Sequence, residues 1–240
     1  MFTFKTSLLV SVATYLSICL SFTAIAGSDA FEHEFGRIKQ VIESNCGDCY
    51  GASRDAFIQA VGELEALVSA GYDNVEARKL LADSYRVRAV VYEKHNTAEY
   101  DRLLALEHDL YAKLANEFPD NVSVLTGYAA TLRDHAKAIE MLKRAEALAP
   151  RDAYVQHRLG VTYAEGLHDY EKAIPHLQRS VELEDKYRKT SYGEHLARAL
   201  EGKGDFRRAA EVRADMKGFV REMEERDRQK QQDQRSAPDK

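Results

Sequence analysis

The chain has 240 residues, 45% of them apolar and 30% charged, with only 13 Gly and 4 Pro. That composition excludes a collagen-like or low-complexity polymer and fits one long soluble domain. The net charge of -5 argues against nucleic acid as the main partner, because phosphate binding needs a clustered basic surface.

Residues 1–26 differ from the rest. Lys5 is the sole charge, Leu8 to Ile25 is mostly apolar, and Ala24-Ile25-Ala26 provides small residues at a cleavage site. This pattern predicts a secretory signal peptide. The protein is therefore expected to be exported, with the periplasm as its compartment. The alternative is an uncleaved leader that anchors the chain, since the apolar run approaches the lower limit for a membrane span. Ile18 before Cys19 does not fit a lipoprotein signal.

In residues 27–72, Phe31, Phe35, Ile38, Val41 and Ile42 recur at helical spacing and predict a helix from Asp29 to Asn45. A Cys46-Gly47-Asp48-Cys49 loop follows. Ser53 then starts a second helix carrying Phe57, Val61, Leu64, Leu67 and Val68, closed by Gly71. Removal of the leader leaves Cys46 and Cys49 as the only cysteines. In an oxidising compartment an even pair favours a disulfide, here closing a very small loop. A redox-active pair is the alternative, although such pairs sit at a helix N-terminus and this one follows a helix. Zinc would need further ligands, and only His33 and Asp48 are nearby. Tyr50 stands where covalent haem attachment needs His.

Residues 73–119 predict a longer hairpin. Asp73 and Glu76 suggest its start, Leu80, Leu81, Ala82 and Tyr85 its first apolar stripe, and Lys94 its end. Thr97 opens a second helix with Tyr100, Leu103, Leu104, Leu110 and Leu114, stopped by Pro119. The extra length suggests a projection suited to contact or homo-oligomerisation, or a cover for the end of a stack.

Residues 120–222 read as three regular hairpins. In the central one Leu159, Gly160 and Tyr163 share one face, and Tyr170, Ala173, Ile174, Leu177 and Val181 share the other. Gly166 breaks the pattern and Asp169 caps the second helix. Gly160 and Ala173 are small enough for close backbone approach. Aligning Ala173 with Ala138 and Ala209 gives a repeat of about 35 residues, near the ~34 of a tetratricopeptide repeat. Leu125, Ala129, Leu142, Ala145 and Pro150 mark the upstream copy, and Leu196, Ala197, Leu200, Gly204 and Ala210 the downstream one. Residues 223–240 are almost purely charged and polar, and predict a frayed helical end that passes into a disordered tail.

At these positions the chain resembles the tetratricopeptide-repeat family. It departs from the family in lacking Trp, in one extra residue in the central turn, and in Ser180 where Ala is usual. The resemblance implies an all-α, right-handed solenoid of about five hairpins that serves as a protein-interaction scaffold. It also implies that the first helix of each repeat lines a concave groove. The positions carried over are Glu76, Lys79, Asp83 and Arg86; Ser123, Gly127 and Ala130; Tyr154, His157, Val161 and Glu165; and Glu194 and Arg198. Such a groove suits an extended or helical peptide with an apolar anchor flanked by charges. Asn45, Asn74, Asn96, Asn116 and Asn121 fall at helix ends or in loops, which argues against the subtype that grips acidic chaperone tails. No nucleophile elbow, phosphate loop or H-E-x-x-H motif is present, so neither an enzyme nor a cofactor is expected. The alternatives are a thiol-disulfide or metal-handling accessory protein using Cys46 and Cys49, and a membrane-tethered assembly factor with a retained leader.

Overall fold

The computed structural model describes residues 28–45, 52–92, 96–185 and 188–236. The leader, its cleavage site, and Cys46 and Cys49 lie outside the described residues. Those described form helices joined by short turns, with no strand among them, in two compact units divided between Pro119 and Asp120.

The first unit holds α1 (Ser28–Asn45), α2 (Ala52–Ser69), α3 (Val75–Tyr92) and α4 (Thr97–Glu117). Phe35, Ile38, Phe57, Val61, Leu64, Leu67 and Leu81 make its core, and Tyr72 packs against both Phe31 and Phe35. Gly71 ends α2 with φ +99, a left-handed geometry that glycine adopts without steric cost. Helix starts differ from expectation by one residue. Asn74 rather than Asp73 caps α3, its side chain accepting from the amides of Glu76 and Ala77. Asn96 rather than Thr97 caps α4, accepting from Glu99. Asn accepts well at an N-cap, whereas Asp73 is used instead in an ion pair with Arg78, which also holds Glu117.

The second unit holds α5 (Val122–Thr131), α6 (His135–Leu148), α7 (Ala153–Val161), α8 (Tyr170–Leu183), α9 (Arg188–Lys203) and α10 (Phe206–Ser236). Consecutive helices pair as hairpins. Asn121, Asp134, Asp152 and Asp169 cap α5 to α8, each accepting amide hydrogen bonds from the following turn. Of the repeat positions, Ala138, Leu159, Gly160, Tyr163, Ala173 and Ala209 are buried, whereas Pro150, Gly204 and Ala210, at the hairpin ends and on the outer face, are exposed. Full burial of a leucine contributes roughly 1.5–3 kcal/mol, and Leu125, Leu142, Leu159, Leu177 and Leu200 are all fully covered. Ser180 is also buried. Its hydroxyl donates to the Leu177 carbonyl, so a polar group stands at a usual Ala position without an unmet hydrogen bond. Pro150 follows the end of α6, where it cannot continue the helix.

Gly160 sits where α7 crosses α8. A Cβ built there would lie 2.5 Å from Leu177 Cγ and 3.1 Å from the Ala173 carbonyl oxygen. The two backbones therefore meet across a position that admits only hydrogen. Beyond Val161 the helix widens into a π turn, Thr162–Gly166, closed where the Asp169 amide donates to the Tyr163 carbonyl at 2.9 Å. A π turn absorbs one residue more than an α-turn. The extra residue of the central repeat is housed there, and His168 beyond it takes φ +53.

The C-terminal helix is longer than expected: α10 continues to Ser236, so the helical end takes in residues 223–236 of the stretch expected to pass into a disordered tail. Glu, Arg, Lys and Gln are all good helix formers, and ion pairs such as Glu222–Arg226 at i,i+4 support an exposed helix without a core.

Candidate functional site

The π turn opens one side of the second unit. Between the end of α7, the start of α8 and the middle of α9 lies a cavity of about 250 Å³. Val161, Ala164, Leu177 and Ala199 form its apolar walls, and Glu165, His168, Tyr170, His195 and Arg198 its polar edge. Glu165 stands 3.8 Å from Arg198 and 3.9 Å from His195 Nε2. In this exposed setting such pairs add little stability. Their consequence is positional: a carboxylate, a guanidinium and an imidazole are held around one apolar opening.

Hydrogen bonding fixes the orientation of His195. Its Nδ1–H donates to the Ser191 carbonyl at 2.8 Å, so Nε2 is turned toward Glu165. Behind it His157 stacks on Tyr192, with centroids 4.1 Å apart and planes 15° apart, and meets His195 edge-on at 4.8 Å. Burial, followed by the charges of His195 and Arg158, pushes the His157 pKa down to about 3. His157 is therefore a neutral wall residue at physiological pH. His157 Nδ1 and the Tyr192 hydroxyl have no hydrogen-bond partner among the described residues.

A second polar network braces the same hairpin. Gln156 donates to Glu146 at 2.9 Å, and His176 Nδ1 donates to the Gln156 side-chain oxygen at 2.8 Å, tying α6, α7 and α8 together. Burial lowers the His176 pKa as well. His176 stacks on Tyr163, over which the Lys172 ammonium sits at 5.7 Å.

The groove positions carried over from the repeat pattern fall in several places. Val161, Glu165 and Arg198 come together at the cavity, with His157 behind its wall. Tyr154 is exposed on the first turn of α7, and Gly127 is half-buried on α5. Glu194 lies between two cations: it accepts two hydrogen bonds from Arg213 of α10 at 2.9 Å and stands 3.7 Å from Arg198, and the Arg213 guanidinium also binds Glu201. Lys79, Asp83 and Arg86 lie in the first unit. There Lys79 pairs with Asp83, Asp83 accepts from the Tyr111 hydroxyl, and Arg86 pairs with the buried carboxylate of Glu107. His195 was not among the expected groove residues. Its i,i+3 spacing from Arg198 was the signal that could have placed both on one face.

No family model matches the sequence, and no curated protein matches it significantly. Solved structures match the fold. MamA 41-end from Desulfovibrio magneticus RS-1 is 20% identical, with 79% of this chain and 96% of that chain covered and a TM-score of 0.52. TTC0263, a thermophilic TPR protein in Thermus thermophilus, is 17% identical, with 76% and 98% covered and a TM-score of 0.53. A further crystal structure of MamA is 17% identical, with 72% and 94% covered and a TM-score of 0.52. At these identities the likeness is one of fold, and that fold is the all-helical tetratricopeptide solenoid.

Proposed function

We propose, on the premise of this fold, that the protein is an exported interaction scaffold and that the cavity beside His195 seats an apolar side chain of a partner polypeptide. The observation that carries this reading is the cavity itself: apolar walls ringed by Glu165, His195 and Arg198. An apolar anchor would fill it, while flanking polar groups on the peptide would meet the rim. The tetratricopeptide neighbours support an interaction role.

The test uses peptides selected against the purified protein from a random display library. Arg198→Glu and Glu165→Lys alter exposed rim residues and should leave the melting temperature unchanged. Each is expected to weaken the selected peptides by at least about 10-fold, the effect of reversing one interfacial charge. Unchanged affinity in both would place binding elsewhere.

Export rests on the Ala24-Ile25-Ala26 site and the apolar run before it. N-terminal sequencing of the protein from a cell envelope fraction is expected to begin at Gly27. Recovery of Met1 from the same fraction would instead support a retained anchor. Among the described residues no helix is long and apolar enough to cross a membrane.

A further inference from the structure

The size of the cavity beside His195 and the polar groups at its mouth narrow the choice of anchor. Its volume of about 250 Å³ exceeds the ~150 Å³ in which a benzene ring binds, so it admits an aromatic side chain. Tyr170 stands at its edge and offers a face on which a second ring can pack.

The ion pairs at the mouth are too long to be hydrogen bonds. Glu165 lies 3.8 Å from Arg198 Nη1 and 3.9 Å from His195 Nε2, and Arg198 Nε lies 3.7 Å from Glu194. The part each group can play is nonetheless fixed. A carboxylate accepts and a guanidinium donates. The Ser191 carbonyl can only accept, so the neutral His195 ring carries its proton on Nδ1 and turns Nε2 toward Glu165 as a second acceptor. Two acceptors and one donor thus converge above an apolar recess.

Few side chains answer all of these groups. Phe, Leu and Met would cover the walls but desolvate the mouth without a hydrogen bond, which is costly. Trp can only donate; so can Lys and Arg, whose charge would also oppose Arg198. Asp and Glu accept only and would face the Glu165 carboxylate. Ser, Thr, Asn, Gln and His both donate and accept, but lack an apolar body to fill the recess. Tyr has a ring for the walls and a hydroxyl that does both.

We propose that the anchor is a tyrosine of the partner polypeptide. Its hydroxyl donates to the Glu165 carboxylate, with His195 Nε2 as the adjoining acceptor, and accepts from Arg198, while its ring fills the recess. The inference rests on the reading of this cavity as a peptide site and adds the chemistry of the side chain it selects.

Peptides selected on the purified protein test it, and they are expected to share a tyrosine. Replacing that tyrosine by phenylalanine leaves the protein untouched and should weaken binding by at least about 10-fold, through loss of hydrogen bonds to charged groups. The protein variant Glu165→Ala with His195→Phe lacks both acceptors, and on it the two peptides should bind within about 2-fold of each other. Thermal melts check that this variant folds. Glu165→Ala alone, at an exposed position, should already reduce the preference. If Arg198→Glu and Glu165→Lys weaken the peptides but the loss of the hydroxyl does not, the cavity takes another anchor and the tyrosine proposal fails alone. If those charge reversals have no effect, the peptide site and the tyrosine proposal fail together. A preference for tyrosine that survives removal of both acceptors would place the hydroxyl elsewhere and overturn the proposal.

Discussion

Gly160→Leu is expected to lower the stability of the second unit by about 1–3 kcal/mol, the largest packing cost of any single substitution described for this protein. Even a methyl group there would sit 2.5 Å from Leu177 Cγ and 2.8 Å from its Cδ2, and Leu177 is fully buried. It would also press on the Ala173 carbonyl oxygen, which belongs to a helix backbone and cannot rotate away. Overpacking costs about 1–3 kcal/mol and occasionally more, whereas the gain in helix propensity from Gly to Leu is under about 1 kcal/mol. Packing wins. Because repeat arrays are held by nearest-neighbour interfaces, the damage should reach the hairpins on both sides of α7 and α8. Urea unfolding followed by circular dichroism measures the loss. Gly204→Ala is the control: nothing lies within 4 Å of its Cβ position, and its φ of +90 should cost about 1–2 kcal/mol through backbone strain alone. A Gly160→Leu protein as stable as the wild type would show that α7 and α8 do not pair as described.

Acid should weaken the same unit. His157 has a folded-state pKa of about 3 against an ordinary 6.5, so the unfolded chain takes up its proton first as the pH falls. Its contribution is fully present above pH 6.5 and is lost progressively toward pH 3. At pH 5 the loss is about 2 kcal/mol, because each unit of pH below the ordinary value costs about 1.4 kcal/mol until the folded-state pKa is reached. The depressed pKa of His176 acts in the same direction. His157→Phe keeps a ring against Tyr192 and removes the titration, so it should flatten the dependence of stability on pH between 6.5 and 4. Urea midpoints measured across that range decide the matter. A variant with the wild-type slope would show that His157 is accessible to protons in the folded state.

Much of the second unit was legible in the sequence because its repeat rule depends on side-chain size. Ala138, Ala173 and Ala209 recur where helices come close, and a small residue at a fixed period has few explanations other than packing. The same rule placed Gly160 opposite Ala173. The site was less legible because a helix position specifies a face and not the neighbour that the side chain chooses. Glu194 and Arg198 were expected to line one groove. Arg213, on a later helix, takes hold of Glu194, which lies outside the cavity lining and reaches it only through a 3.7 Å ion pair with Arg198. Similarly, the charged C-terminal stretch gave no apolar stripe after Met223 and so no reason for a helix to dock. Local helix propensity and i,i+4 ion pairs nevertheless keep it helical to Ser236. The one-residue excess in the central turn could be counted, but its conformation could not be deduced from a count. Placing it after Gly166, in the loop, would have been equally consistent with the spacing.

That excess residue has an evolutionary consequence. Substitutions change what a helix presents, but an insertion changes the angle at which everything after it is presented, by about 100° per residue. The π turn confines such a rotation to Thr162–Gly166 and hands the chain back in register to the Asp169 cap of α8. Gly160 on one side and Ala164 on the other can thus both keep the phase that packing requires, while Glu165 is left exposed in a phase that packing does not dictate. A repeat of ordinary length could gain this recess by acquiring a single codon and lose it by deleting one, with the helical framework preserved in both directions. Among relatives of this chain, length in the central turn is therefore a better marker of the recess than the identity of any residue lining it.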